Sequence, residues 1–235
     1  MTTGEVMAEL KRLGNPQQLK TYIRHGAKGD VYGVKIGDLK VVAKKLKGNQ
    51  AVALELYRTG NLDAMYLAGL VVDPRQMTRK KLDAWCKSAD WGIISEYTVA
   101  WVAAESHFAR DVALKWIDSS KESVAVAGWN AYSGWLALTP DSELDLAEIT
   151  RLLARVEKEI AKAPNRVRYC MNGFVISVGS YVKPLLAKAK ATAKKIGKVD
   201  VEMGDTACKV PSAVETIQKI ESMGRVGRRR KTVRC

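Results

Sequence analysis

The chain has 235 residues, 47% of them hydrophobic and 27% charged, which is enough apolar material for one sizeable core, and no apolar run is long enough to span a bilayer. Lys and Arg number 39 against 25 Asp and Glu, a formal charge of +14 that favours a polyanionic partner. Cys86, Cys170, Cys208 and Cys235 stand far apart with no CxxC pair and only His25 and His107 as imidazole partners, so neither a zinc site nor a disulfide framework is signalled and a reducing, cytoplasmic compartment fits.

Helical periodicity runs nearly end to end. The amino-terminal residues mix Glu5, Glu9, Lys11 and Arg12 into a helical pattern, unlike a signal peptide. In chain order the pattern predicts helices over Thr3 to Leu13, Pro16 to His25, Ile36 to Lys47, Gln50 to Arg58, Leu62 to Val72, Arg75 to Lys87 and Trp91 to Glu105. It continues with Phe108 to Asp118, Lys121 to Leu138, Glu143 to Ala163, Arg166 to Val178, Pro184 to Ile196 and Ser212 to Ser222. The breaks have physical causes: Gly14-Asn15-Pro16, Gly48-Asn49, Gly60-Asn61, Asp73-Pro74, Ser88-Ala89-Asp90, Ser119-Ser120 and Thr139-Pro140 supply helix-ending Gly, amino-capping side chains or Pro. Short connections between helices of ordinary length predict antiparallel pairs, and a row of such pairs is an all-α solenoid, with an irregular bundle as the alternative because no fixed sequence period is visible.

Lys121 to Leu138 is apolar on nearly all faces, so it should be a central buried helix, with Gly128 and Gly134 allowing close approach; Trp129, Tyr132 and Trp135 are then core side chains. Residues Asp200 to Val210 read as an ordered loop. From Gly179 onward there are 14 Lys/Arg against 5 Asp/Glu, so +9 of the +14 sits in the last quarter. The domain reading is a helical-repeat domain over 1–224 and a flexible basic tail over 225–235, in which Cys235 is a free surface thiol.

Two segments carry a family resemblance. Tyr32-Gly33-Val34-Lys35-Ile36-Gly37-Asp38-Leu39-Lys40-Val41-Val42-Ala43-Lys44-Lys45, followed by helical pairs, and Asp90-Trp91-Gly92-Ile93-Ile94-Ser95 resemble the alkylation-repair DNA glycosylases built from HEAT-like repeats, the AlkD-like family. The resemblance implies a HEAT-like α-solenoid whose basic concave face holds duplex DNA, with aromatic residues and an Asp promoting loss of a cationic alkylated base. That chemistry needs a carboxylate near the sugar and electron-rich rings, because breaking the glycosidic bond leaves an oxocarbenium-like sugar.

Three positions depart from the family pattern. Trp91 matches the family Trp, but the Asp four residues later is Ser95, which carries no charge. The stretch Ser123 to Gly128 lacks the family Arg, and Phe174 stands nearest to a second family Trp. Glu96 is the nearest carboxylate, yet one residue along an α-helix turns a side chain by about 100°, away from the face that Trp91 and Ser95 share. Glu105 lies farther along the same helix; recruiting either needs altered helix geometry, which Gly92 makes conceivable.

The site reading is therefore Trp91, Ser95, Glu96 and Phe174 at the altered catalytic centre, with phosphate contacts from Lys35, Lys40, Lys44, Lys45, Arg166, Arg168, Arg228, Arg229 and Arg230. Arg79, Lys80 and Lys81 form a further basic cluster, and His107 reads as structural. The functional expectation is a DNA-binding protein whose base-excision centre is lost or altered, acting on double-stranded DNA, plain or alkylated, with neither metal nor cofactor, no membrane and a monomeric state. An active glycosylase for cationic alkylpurines and a protein-interaction solenoid are the alternatives.

Overall fold

The computed structural model describes residues 1–234; the expected free thiol of Cys235 lies outside them. Thirteen helices follow one another with no strand among the described residues: α1 (Thr3–Leu13), α2 (Pro16–Arg24), α3 (Ile36–Lys45), α4 (Gln50–Arg58), α5 (Leu62–Val71) and α6 (Arg79–Ser88). Helix α7 begins as a π-helix, Ile93–Val99, and ends as an α-helix, Ala100–Ala104. Then come α8 (Ala109–Ile117), α9 (Glu122–Leu138), α10 (Leu146–Glu159), α11 (Asn165–Tyr181), α12 (Leu186–Ile196) and α13 (Ala213–Ser222).

The expected punctuation acts through identifiable hydrogen bonds. Thr2 and Glu5 close a reciprocal capping box on α1, Asn15 caps α2 ahead of Pro16, and Asn49, Asn61 and Asp145 cap α4, α5 and α10 through their side-chain oxygens. The predicted helix from Arg75 is split instead: Pro74–Gln76 is a 3-10 turn, and Thr78 caps a fresh start at Arg79. Likewise α10 begins later than predicted, because Asp145 supplies the cap.

Packing is in two layers. The odd-numbered helices α3, α5, α7, α9, α11 and α13 touch in sequence, and α4, α6, α8, α10 and α12 each lie against an odd-numbered neighbour, as α4 on α5, α8 on α9 and α12 on α11. This is the alternation that a stack of helical hairpins produces. Within the odd layer the helices run in one direction: the amino ends of α9 and α11 are joined by the Arg166 N–H donating to Glu122 (2.7 Å).

Helix α9 is the centre that its all-round apolarity predicts, with Trp129 and Tyr132 wholly buried. Gly128 faces the α8 backbone so closely that a Cβ would sit 2.5 Å from the Ile117 nitrogen. Buried Tyr132 donates to Glu148 (2.7 Å), which also receives a two-pronged hydrogen bond from Arg110 (2.9 and 2.7 Å), so α8, α9 and α10 are pinned through one carboxylate.

The segment that carries much of the family resemblance is a structural joint. The buried Asp63 carboxylate on α5 accepts the backbone N–H groups of Tyr32 (2.6 Å), Gly33 (3.1 Å) and Val34 (2.9 Å), folding the approach to α3 onto the core. Burial raises the Asp63 pKa and prevails over those three hydrogen bonds, which act to lower it. Gly33 has φ +78°, and a Cβ there would lie 2.6 Å from the Leu19 nitrogen, so only glycine fits.

The expected flexible tail is a packed strap. Val233 is buried against Ala104 and Ala137, and Arg229, although in a run of charge, is directed inward onto Asp141 and the carbonyls of Leu136 (2.9 Å) and Tyr181 (2.6 Å). Helix carboxyl ends expose unsatisfied carbonyls, and the strap supplies donors to them; this is why a segment with no apolar period becomes ordered.

Candidate DNA-interaction site

The carboxylate that follows the family motif sits at a change of helix type. In an α-helix Glu96 would point away from the Trp91 face; here Trp91 stands just ahead of the π-turn, with the Ser95 N–H donating to its carbonyl (3.0 Å), and Glu96 lies within the π-turn. Trp91 and Glu96 line one cleft of about 620 Å³, together with Tyr97, Arg166 and Tyr169. The widened turn is supported from a distance: the Glu96 carbonyl accepts a hydrogen bond from Asn130 on α9 (2.9 Å). Gly92 leaves the room, since a Cβ there would meet a Glu96 carboxylate oxygen at 3.2 Å.

Glu96 is buried and is not a free anion. Arg166, at the start of α11, approaches it side-on, with Nε to one oxygen at 2.7 Å and a terminal nitrogen to the other at 2.6 Å. The third guanidinium nitrogen meets the Met203 sulfur at 3.3 Å, and the plane lies over the Tyr169 ring, 4.4 Å from its centroid. Burial works against the Arg166 charge, yet the hydrogen bonds it donates to Glu96 and the attraction of that carboxylate together outweigh it and hold the guanidinium pKa above its usual value. Burial and the adjacent Glu96 carboxylate likewise push the Tyr97 phenol up.

The other expected catalytic residues are placed differently. Trp91 is only 4% exposed; its indole N–H donates to the His25 carbonyl (3.0 Å) and its ring meets Tyr22 edge-on at 5.1 Å, so its main role is to tie α2 to α7. Ser95 is buried and turns its hydroxyl back onto the carbonyls of Trp91 and Gly92, both at 3.4 Å. Phe174 does not face a lesion: it is fully buried between Trp129 (5.2 Å) and Tyr132 (5.8 Å) because its face of α11 packs on α9.

Among the expected phosphate contacts, Lys35, Lys44 and Lys45 are exposed on α3 and its lead-in, Lys40 is half-buried, and Lys45 lies 3.9 Å from Glu9; none of the four lines the cleft. Arg166 lies in the cleft, with three of its five N–H groups turned to Glu96 and Met203. Arg168 is half-buried and bonds Asn165. Arg228 and Arg230 are exposed, whereas Arg229 is the inward anchor of the strap.

Sequence reasoning passed over Tyr97, Tyr169, Arg24 and Lys209, all of which line the cleft. One signal was available: Arg166 and Tyr169 stand three apart on one helix, the spacing at which a guanidinium can lie over a ring. The loop bearing Met203 and Lys209 covers one side, and Asn165 fixes it by exchanging hydrogen bonds with the Glu202 carbonyl and N–H, both at 2.8 Å. Chemically the cleft offers aromatic faces for stacking and the cations Arg24 and Lys209 at its border, around a carboxylate that is already neutralised.

Helical hairpins stacked in two layers around such a cleft define a HEAT-like repeat protein. The chain belongs to the DNA alkylation repair enzyme family, whose profile matches residues 6–195. Protein Lin0241 of Listeria innocua is 35% identical over 225 residues, covering 93% of this chain and 97% of its own length, and Lmo0209 of Listeria monocytogenes is 34% identical over the same shares. A solved structure superposes with a TM-score of 0.91 at 40% identity over 100% of both chains; it is described as a new family of proteins related to the HEAT-like repeat DNA glycosylases with affinity for branched DNA structures.

Proposed function

We propose that this protein binds DNA through its phosphates, branched duplex DNA in preference to linear, and releases no alkylated bases. The affinity of its structural relative for branched DNA supports the partner. Charge supports the mode: a +14 chain that neutralises phosphates gains affinity by releasing counterions, without reading sequence.

The observation that carries the loss of excision is the Glu96–Arg166 pair. An oxocarbenium-like sugar is stabilised by a carboxylate with charge to offer, and here Glu96, which lines the cleft with Trp91, shares both oxygens with a guanidinium, while Ser95 stands neutral and buried where the family has Asp. A single-turnover assay on duplex DNA carrying 7-methylguanine, beside gel-shift binding of a four-way junction, tests this. Junction binding without base release is expected; release above the spontaneous rate overturns the reading.

One observation favours a second reading, an active glycosylase: Glu96, within the π-turn, lines an aromatic cleft together with Trp91. In that case base release occurs in the native protein and is abolished in Glu96→Gln.

A further inference from the structure

The strap lies across the carboxyl edge of the odd layer, at the far end of those helices from the Glu96 cleft. Four successive helices meet it. Arg234 donates to the Val72 carbonyl at the end of α5 (2.8 Å) and to Glu105 at the end of α7 (2.9 Å), and Glu105 also accepts from the Val233 N–H (2.9 Å) and from Thr232. The Arg230 N–H donates to Ala137 of α9 (2.9 Å), and the Gly227 N–H to Ser180 of α11 (2.8 Å). Arg229 joins the last two helices through Leu136 and Tyr181.

This anchoring sorts the strap's side chains. Arg229, Val233 and Arg234 are directed inward, whereas Arg228, Arg230 and Lys231 are exposed and make no ion pair among the described residues. Lys183, exposed and likewise unpaired, lies beside Gly227. Four free cations are thus held along an edge whose helix-end carbonyls, with their partial negative charge, the inward arginines have satisfied. A flexible tail would present the same charges with no fixed position.

The separation from the cleft has a consequence. Helix α11 has 17 residues from Asn165 beside the cleft to Tyr181 under the strap, so the two places are about 25 Å apart at the α-helical rise. Charges separated by more than the Debye length of about 8 Å at physiological salt act as independent contacts. Two independent phosphate-binding edges suit a ligand in which duplex arms diverge from one point.

We propose that the strap forms a second DNA-contact edge, with Arg228, Arg230, Lys231 and Lys183 receiving the phosphates of one arm of a branched duplex while another arm occupies the cleft side. This rests on the DNA-binding reading above and adds which surface selects branched over linear DNA. Engaging both edges at once raises affinity without a new kind of contact.

The test is binding of a four-way junction and of a linear duplex of equal length over a salt series, by the full chain and two variants. Replacing Arg228, Arg230 and Lys231 together by Gln should weaken junction binding roughly tenfold and reduce its salt slope by about 3, since each lost phosphate contact removes about 0.9. Linear binding should stay within about twofold. Glu105→Ala keeps every strap cation but removes the acceptor shared by Thr232, Val233 and Arg234; it should also lose the junction preference, with the helical circular dichroism retained. Unchanged junction binding in either variant, or equal losses for junction and linear DNA, overturns the second edge while leaving DNA binding standing. A native chain that binds neither ligand overturns both.

Discussion

Glu96 and Arg166 each make sense only in the presence of the other. A carboxylate that is 1% exposed has lost its water, and the guanidinium satisfies both of its oxygens. Removing one partner is therefore expected to cost far more than the net contribution of the pair: Arg166→Met should destabilise the fold by about 3–5 kcal/mol, and adding Glu96→Gln should recover part of that, because it removes the stranded charge. Urea unfolding of the single and double variants measures it; equal losses in both would mean that the cleft is held by shape alone. Gly33 gives a second residue-scale expectation. With φ at +78° and the Leu19 backbone in the way, Gly33→Ala should cost about 2 kcal/mol or more in the same measurement.

At the scale of elements, helix-to-helix contacts are either shape-limited or charge-limited. The α8–α9 contact is the former: Gly128→Ala sets a methyl against backbone that cannot rotate aside, and about 1–3 kcal/mol should be lost, seen as a lower melting temperature with unchanged circular dichroism. The α10–α12 contact is the latter. Glu157 receives hydrogen bonds from Lys195 and Thr192, both 2.7 Å, and Lys195 above all holds its pKa below the ordinary value. A lowered carboxylate contributes stability that is present above the usual glutamate range and is lost as pH falls through the lowered value. Glu157→Gln should accordingly destabilise at neutral pH and converge on the native protein near the acid end; a constant difference across pH would contradict this.

The same scale shows what was legible in the sequence. Helix α9 could be read from its apolarity and its Thr139-Pro140 stop, and most helix starts from Asn, Asp, Ser or Thr caps, because those signals are local. The helix type of α7 could not: within its π-turn Glu96 is bonded by Asn130, 34 positions away, and by Arg166, 70 positions away. The resemblance implies Trp91 and Phe174 at the catalytic centre, whereas tertiary packing buries their rings. The order of the strap likewise comes from carbonyls at the ends of α5, α9 and α11 and from the Glu105 carboxylate at the end of α7, not from any period of its own.

For the whole molecule, parallel odd-numbered helices give the protein two chemically distinct edges. Amino ends and an aromatic, charge-neutralised cleft lie on one, and an arginine-satisfied carboxyl edge on the other. Truncation after Gly224 should lower the melting temperature by several degrees, as expected when about 1–2 kcal/mol is removed from a domain of this size; an unchanged midpoint would mean that the strap contributes nothing to the solenoid.

The proposed engagement of DNA phosphates by this basic helical repeat is measured by the affinity of the full chain for a four-way junction between 50 and 200 mM salt, concentrations over which about 6–10 phosphate contacts would cost roughly 10³–10⁵ in affinity. A straight decline of log affinity with log salt, tighter for the junction than for linear duplex at every point, is predicted; affinity that is absent at 50 mM or insensitive to salt would contradict it.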